Sequence, residues 1–234
     1  MNKPFIITIV GAESSGKSTL AMQLAEHFQC VWVPEYAREY LSSLDRPYGE
    51  RDLEIIAERQ LEVILNAVNR QSSAFSAPNP LKGTLNDISP SPNDLEDLIQ
   101  SKIENRMLRP AKLDPGATAQ QPSKIQKPNS KILIVDGGMM NLRMWAKIKY
   151  KKSIPVVEEA LKEDLTDLYL LCKPHKEWMH DPLREAPDLL DRVWIYNLYL
   201  EELVRGLNTM EIFNGSEDRK LEMAINIILQ LQTA

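Results

Sequence analysis

The chain has 234 residues, 43% of them hydrophobic, and a net charge of −5. That length and apolar content suit one α/β domain of ordinary size. The acidic balance argues against a nucleic-acid binder, which carries a basic face, and the apolar run at residues 5–10 is too short for a signal-peptide core or a bilayer span. Neither nucleic acid nor a membrane is therefore expected as a partner, and a cytoplasmic location is.

Residues 5–10 are β-branched, lie between Pro4 and Gly11, and predict a first buried strand. Leu20, Leu24 and Phe28 recur at helical spacing and predict a helix over 17–28. Residues 30–33 predict a short strand. Residues 52–69 carry Leu53, Ile56, Ala57, Leu61, Ile64, Leu65 and Val68 on one stripe, the mark of an amphipathic helix. Eight of the fifteen prolines then fall between residues 71 and 130, where the one aromatic is Phe75. Such a stretch buries too little apolar surface to offset its ordering entropy. It predicts a largely disordered insertion, with one short helix over 93–108 that Pro110 stops.

Regular structure is expected again from Lys131, with a buried strand at 132–136 that ends in Asp136. Helical patterns follow over 139–166, then a strand at 168–172 and a proline-punctuated loop or partial helix at 173–192. A helix at 193–205, a strand at 210–214 and a helix at 218–232 close the chain. Strands alternating with helices predict a parallel sheet covered on both faces. The domain so read is residues 1–70 with 131–234, interrupted by 71–130. Cys30 and Cys172 both sit in apolar runs and predict two reduced, buried thiols.

The strongest chemical signal is Gly11-Ala12-Glu13-Ser14-Ser15-Gly16-Lys17-Ser18-Thr19, which matches G-x-x-x-x-G-K-[ST]. The glycines allow a tight loop, and successive backbone N–H groups bind phosphate oxygens. The helix that opens near Lys17 aims its positive end at the same anion. Lys17 is expected on the β- and γ-phosphates of a nucleoside triphosphate, with the choice between ATP and GTP left open by the motif, and Ser18 on the accompanying Mg²⁺. The motif follows a predicted strand and opens a predicted helix, as that mechanism requires. Asp136, at the end of a buried strand, is the candidate second metal ligand. Its competing reading is a cap for the Gly137-Gly138 turn.

Three blocks carry a family resemblance: Gly11–Leu20, the stretch Trp32-Val33-Pro34-Glu35-Tyr36-Ala37-Arg38-Glu39-Tyr40-Leu41, and Asp167–Arg192. Together they resemble the ribosylnicotinamide-kinase domain of NadR proteins and the stand-alone bacterial P-loop ATPase and kinase proteins similar to it. The resemblance spans residues 4–70 and 131–230. It implies an α/β P-loop NTPase of nucleoside- and nucleotide-kinase type, with five parallel strands and helices on both faces. It implies MgATP and a nucleoside acceptor such as nicotinamide riboside as its small-molecule partners. Glu35, Tyr36 and Arg38 would line the acceptor pocket, and Trp178 would offer a face to a cationic ring. Arg184 and Arg192 would neutralise charge on the transferring phosphoryl group, with Lys17 and Asp136 completing the catalytic set.

Each of these has a plainer reading. Glu35 and Arg38 could form a helix-surface ion pair, Trp178 could cover the core, and the two arginines could belong to a solvated charge cluster. The family often reads Asp-Thr-Asp where this chain has Asp136-Gly137-Gly138, so the second acid is missing. That departure keeps a second function open, a nucleotide-dependent regulatory module that transfers no phosphoryl group.

Overall fold

The computed structural model describes residues 3–76, 131–175, 181, 183–205, 209–213 and 217–233. The chain divides into two units, Met1–Ala77 with Lys127–Ala234 and Pro78–Gln126. The second unit, with the short helix expected at 93–108, lies outside the described residues.

Five strands form one sheet: β1 (Phe5–Gly11), β2 (Val31–Val33), β3 (Ile132–Asp136), β4 (Leu168–Cys172) and β5 (Thr209–Phe213). All pair in parallel, in the order β2-β3-β1-β4-β5. The alternation of β1 explains how the sheet is covered. Ile7 and Ile9 pack with Leu20 and Leu24 of α1 (Lys17–Phe28) and with Ala224 and Ile228 of α7 (Glu217–Thr233). Ile6 packs on the opposite face with Leu53 and Ile56 of α3 (Glu50–Ser76) and with Val157 of α5 (Pro155–Lys162). Val10, further along that face, meets Met140 and Met144 of α4 (Gly138–Trp145) and Tyr196 and Tyr199 of α6 (Leu189–Arg205). A strand buried on both faces must be apolar throughout, which is why residues 5–10 read as one continuous run. Each fully buried Ile or Leu contributes about 1.5–3 kcal/mol.

The strand order puts the chain reversal where the chemistry sits. From β1 the chain crosses to the β2 edge, returns to fill the gap with β3, and then passes β1 to reach β4. β1 and β3 thus lie side by side at the point where crossovers diverge, and ligands of open α/β sheets bind at the carboxyl ends of such strands. The register is Ile9 opposite Asp136 and Gly11 opposite Cys172, so the glycine-rich loop and Asp136 leave the same end of the sheet.

Several element limits differ from the sequence expectation. α3 continues through residues 71–76. The 139–166 region is three pieces: α4, a five-residue π-helical turn at Ala146–Tyr150, and α5, which opens at Pro155. Proline suits a first helical position because its missing N–H has no partner there anyway. α6 starts at Leu189, and its buried stripe Arg192, Tyr196, Tyr199 and Leu203 follows helical spacing. A short helix, α2 (Tyr36–Ser42), follows β2, where the sequence offered a helix only as the alternative reading of Glu35 and Arg38. Both cysteines are free thiols, but only Cys172 is buried as expected and Cys30 is half-buried; desolvation pushes Cys30 up to about 12 and Cys172 to about 11, so both stay protonated.

Candidate active site

A cavity of about 340 Å³ lies over the carboxyl ends of β1 and β3, within the usual range for small-molecule sites. Its floor is the phosphate loop, Gly11 through Thr19, every residue of which lines it. Gly16 takes φ 80 immediately before α1, which turns the chain so that the helix N-terminus with Lys17 and Ser18 faces the cavity.

Asp136 lies beneath this loop, 2% exposed. Burial, reinforced by Glu35, raises its carboxyl to about 6; Lys17, a hydrogen bond from Ser18, and Arg38 pull the other way. Its Oδ1 is buried and accepts no hydrogen bond among the described residues. Asp136 is not itself among the residues that line the cavity, but a buried oxygen next to a serine hydroxyl of the phosphate loop fits a hard divalent cation that takes few protein ligands and keeps several waters. Ser18 and Asp136 are the residues that would hold Mg²⁺.

Glu35 caps the start of α2 from an extended conformation, φ −71 and ψ 107. It lines the cavity together with Arg38. They do not pair as neighbours on the helix surface: the Arg38 guanidinium reaches Asp181 at 2.6 Å and holds that carboxyl below its ordinary range. Glu35 Oε1 instead accepts a hydrogen bond from Asn141 Nδ2 at 3.0 Å. Tyr36 is not among the lining residues. The turn of α2 carries its ring to the α3 side of the core, beside Tyr40 at 6.2 Å, and its backbone N–H donates to Gln60. The expectation that Tyr36 stacks on an acceptor ring is therefore corrected: positions 35 and 38 share a helix face that 36 does not.

The strap at residues 183–186 is fastened onto the phosphate loop. Glu13 accepts the backbone N–H groups of Glu185 at 2.9 Å and Ala186 at 2.9 Å. Arg184 donates to Ser14 Oγ at 2.9 Å and lines the cavity. Arg192 does not. It is 1% exposed and donates from Nη1 to the carbonyl of His175 at 2.6 Å, so it braces the exit of β4 rather than facing a ligand. Trp178 lies outside the described residues.

Several residues here had not been singled out. Tyr48 and Trp145 stack at 5.9 Å between ring centroids, and Lys149 covers the Tyr48 ring at 3.6 Å while pairing with Glu185. The π-helical turn presents Lys149 to the cavity, a use of such irregular turns that recurs at functional sites. Lys220 of α7, 3% exposed, reaches under the phosphate loop to the carbonyl of Ser15 at 2.8 Å and to His175 Nε2 at 3.0 Å. One signal for the buried set was available: Asn141 stands alone as a polar residue in the run Met139-Met140-Asn141-Leu142.

The profile of the AAA domain family matches residues 6–79 and 98–220. The chain belongs to the AAA domain family. The match takes in residues 98–130, part of the stretch read as an insertion. No curated protein matches the chain. Among solved structures it is similar to NadR protein in complex with NR, at 18% identity and TM-score 0.59, over 97% of this chain and 51% of that one. It is also similar to NadR protein in complex with NAD and AMP-PNP, at 17% identity and TM-score 0.54, over 91% of this chain and 45% of that one. This AAA domain chain thus shares the fold of NadR over about half of that protein's length.

Proposed function

We propose that this AAA domain protein is an ATP-dependent phosphotransferase whose acceptor is a nucleoside such as nicotinamide riboside. One observation carries the reading: a single cavity is lined both by the phosphate loop with Arg184 and by Glu35. A regulatory nucleotide switch needs the phosphate loop only.

Phosphoryl transfer demands position and charge stabilisation more than covalent help. Loop N–H groups and Lys17 bind the β- and γ-phosphates, and Arg184 neutralises charge that develops on the transferring group. Magnesium, when bound, would be held by Ser18 and Asp136 and would supply positive charge to offset that of the phosphates. The two acids divide by burial. Asp136 is sealed beneath the loop and suits the cation, whereas Glu35 opens into the cavity and accepts the proton of the incoming hydroxyl. That assignment answers the missing second acid, since Glu35 supplies a carboxylate from another strand exit.

The test is purified protein with MgATP and a nucleoside panel that includes nicotinamide riboside, following ADP release and product mass. Acceptor-dependent product that Lys17→Ala fails to make supports the reading. Nucleotide binding without transfer to any nucleoside overturns it in favour of the regulatory module.

A further inference from the structure

The Glu35 carboxylate is the end of a buried hydrogen-bond chain. Tyr199 OH donates to Asn141 Oδ1 at 2.7 Å, and Asn141 Nδ2 donates to Glu35 Oε1 at 3.0 Å. Tyr199 and Asn141 are 2% and 3% exposed. The chain has one direction. Burial keeps the Tyr199 phenol protonated, far above its ordinary range, so it enters as a donor. That donor fixes the carboxamide with its oxygen toward Tyr199 and its NH₂ toward Glu35. Three separate elements, α6, α4 and the exit of β2, converge to build it. With Oε1 engaged, Glu35 Oε2 receives no hydrogen bond among the described residues.

The turn after Asp136 belongs to the same device. Gly137 takes φ +75, and a Cβ there would lie 2.4 Å from Asn141 Nδ2. Any side chain at 137 would displace the carboxamide. Gly138 takes φ +55, with the place of its Cβ 3.2 Å from Val135 Cγ1. Gly137, beside the position where the second acid was expected, is the one that admits Asn141 against Glu35.

We propose that Asn141 and Tyr199 are positioning residues that hold Glu35 as the proton acceptor for the attacking hydroxyl; this rests on the phosphotransferase reading. In the step they serve, the acceptor O–H bond breaks and its proton passes to Glu35 Oε2. The new O–Pγ bond forms as the Pγ–O bond to the β-phosphate breaks, and that electron pair leaves with ADP. Anchoring one carboxylate oxygen aims the other. Loss of the anchor leaves Glu35 in place but free to rotate, and a misaimed base slows the chemical step without touching ATP binding.

A kinetic double-mutant cycle on the full chain tests this. The variants are Tyr199→Phe, Asn141→Leu, Glu35→Gln and the two doubles with Glu35→Gln. They are assayed with MgATP against nicotinamide riboside, adenosine, guanosine, cytidine, uridine and thymidine. Tyr199→Phe is expected to lower kcat roughly 3- to 10-fold and Asn141→Leu at least about 10-fold, with KM for MgATP unchanged within about 2-fold. In the Glu35→Gln background neither change should lower kcat further, because residues that act through one group are not additive. Should Asn141→Leu fail to fold, Tyr199→Phe, which removes one oxygen atom, completes the cycle alone. Losses that multiply in the Glu35→Gln background, or a KM for MgATP that rises in step, overturn the positioning role and leave the kinase reading standing. A wild-type protein that phosphorylates none of the nucleosides overturns that reading and this role with it.

Discussion

Replacing Asp136 by Asn should stabilise the ligand-free protein at neutral pH while weakening its use of magnesium. The carboxyl is raised to about 6 in the fold, against about 3.9 for an unfolded aspartate. Between those two values the folded chain holds a proton that the unfolded chain has released, so stability falls as pH rises through this window. The contribution is fully present below about pH 4 and lost above about pH 6. A displacement of about two pH units corresponds to roughly 3 kcal/mol, which is the penalty for keeping this carboxylate ionised under the loop. The amide of Asp136→Asn can still accept from Ser18 and carries no charge to desolvate. Urea unfolding of both proteins without nucleotide, at each pH from 4 to 8, isolates the effect because every other titrating group is common to the two. The variant should gain roughly 3 kcal/mol at pH 7.5 and almost nothing at pH 4. Curves that run parallel across this range would show that Asp136 is not desolvated in the free protein, and the argument for a cation there would fail with it. Magnesium should increase the affinity of the wild type for ATP more than that of Asp136→Asn.

Three further outcomes follow from buried contacts outside the catalytic pair. Asp52, 2% exposed, accepts from Gly49 N–H, Tyr40 OH and both Arg46 nitrogens, and those bonds, Arg46 first, hold it well below the usual carboxylate range. Asp52→Ala should therefore destabilise by about 2–4 kcal/mol at pH 7 and by progressively less as the wild type is taken below pH 4; an equal deficit at pH 3 in urea titrations contradicts this. Lys220→Met should lower affinity for ATP on the order of 10-fold and for AMP much less, and calorimetry that finds equal losses for both would show that Lys220 only braces the loop. Glu13→Ala should raise amide hydrogen exchange at Glu185 and Ala186 at least about 10-fold; unchanged protection there means that the strap is held by something other than the Glu13 carboxylate.

Much of this fold was legible because burial on both faces of a parallel strand leaves a continuous apolar run. Ile6–Val10, Ile132–Val135 and Leu168–Cys172 are such runs, and all three are central strands. The phosphate loop was legible for a different reason: its glycines and Lys17 are required at fixed chain spacing by one ligand. α2 was only weakly legible, because seven residues with Tyr36 and Tyr40 give a short periodic signal; the helix entered only as the alternative for Glu35 and Arg38, and Tyr36 was sent to the wrong side. The Asn141–Tyr199 pair was hidden for a deeper reason. Its members are 58 residues apart, and only the packing of α4 against β1 and of α6 beside it makes them neighbours. Arg192 misled in the opposite sense, since an arginine among Asp188 and Asp191 reads as exposed until the stripe Arg192, Tyr196, Tyr199 shows that it points inward.

The two acids at this site illustrate how environment, rather than residue type, assigns a role. An ionised carboxylate sealed from water is stable only beside a strong positive charge. Asp136 has Ser18 as a hydrogen-bond donor and Lys17 nearby, yet still sits near 6, so it is poised to gain most from a divalent cation. Glu35 lines the open cavity with Arg38 and accepts a hydrogen bond from the uncharged carboxamide of Asn141. A second acid at position 138 would have put two carboxylates on one turn beside one cation site, and ionising both would cost more the closer they lay. Here the second carboxylate stands instead at the exit of β2, where its charge still helps to raise the Asp136 carboxyl. Gly137 then changes meaning: a Cβ there would lie 2.4 Å from the Asn141 Nδ2 that donates to Glu35, so a side chain placed at 137 should impair the site rather than repair it.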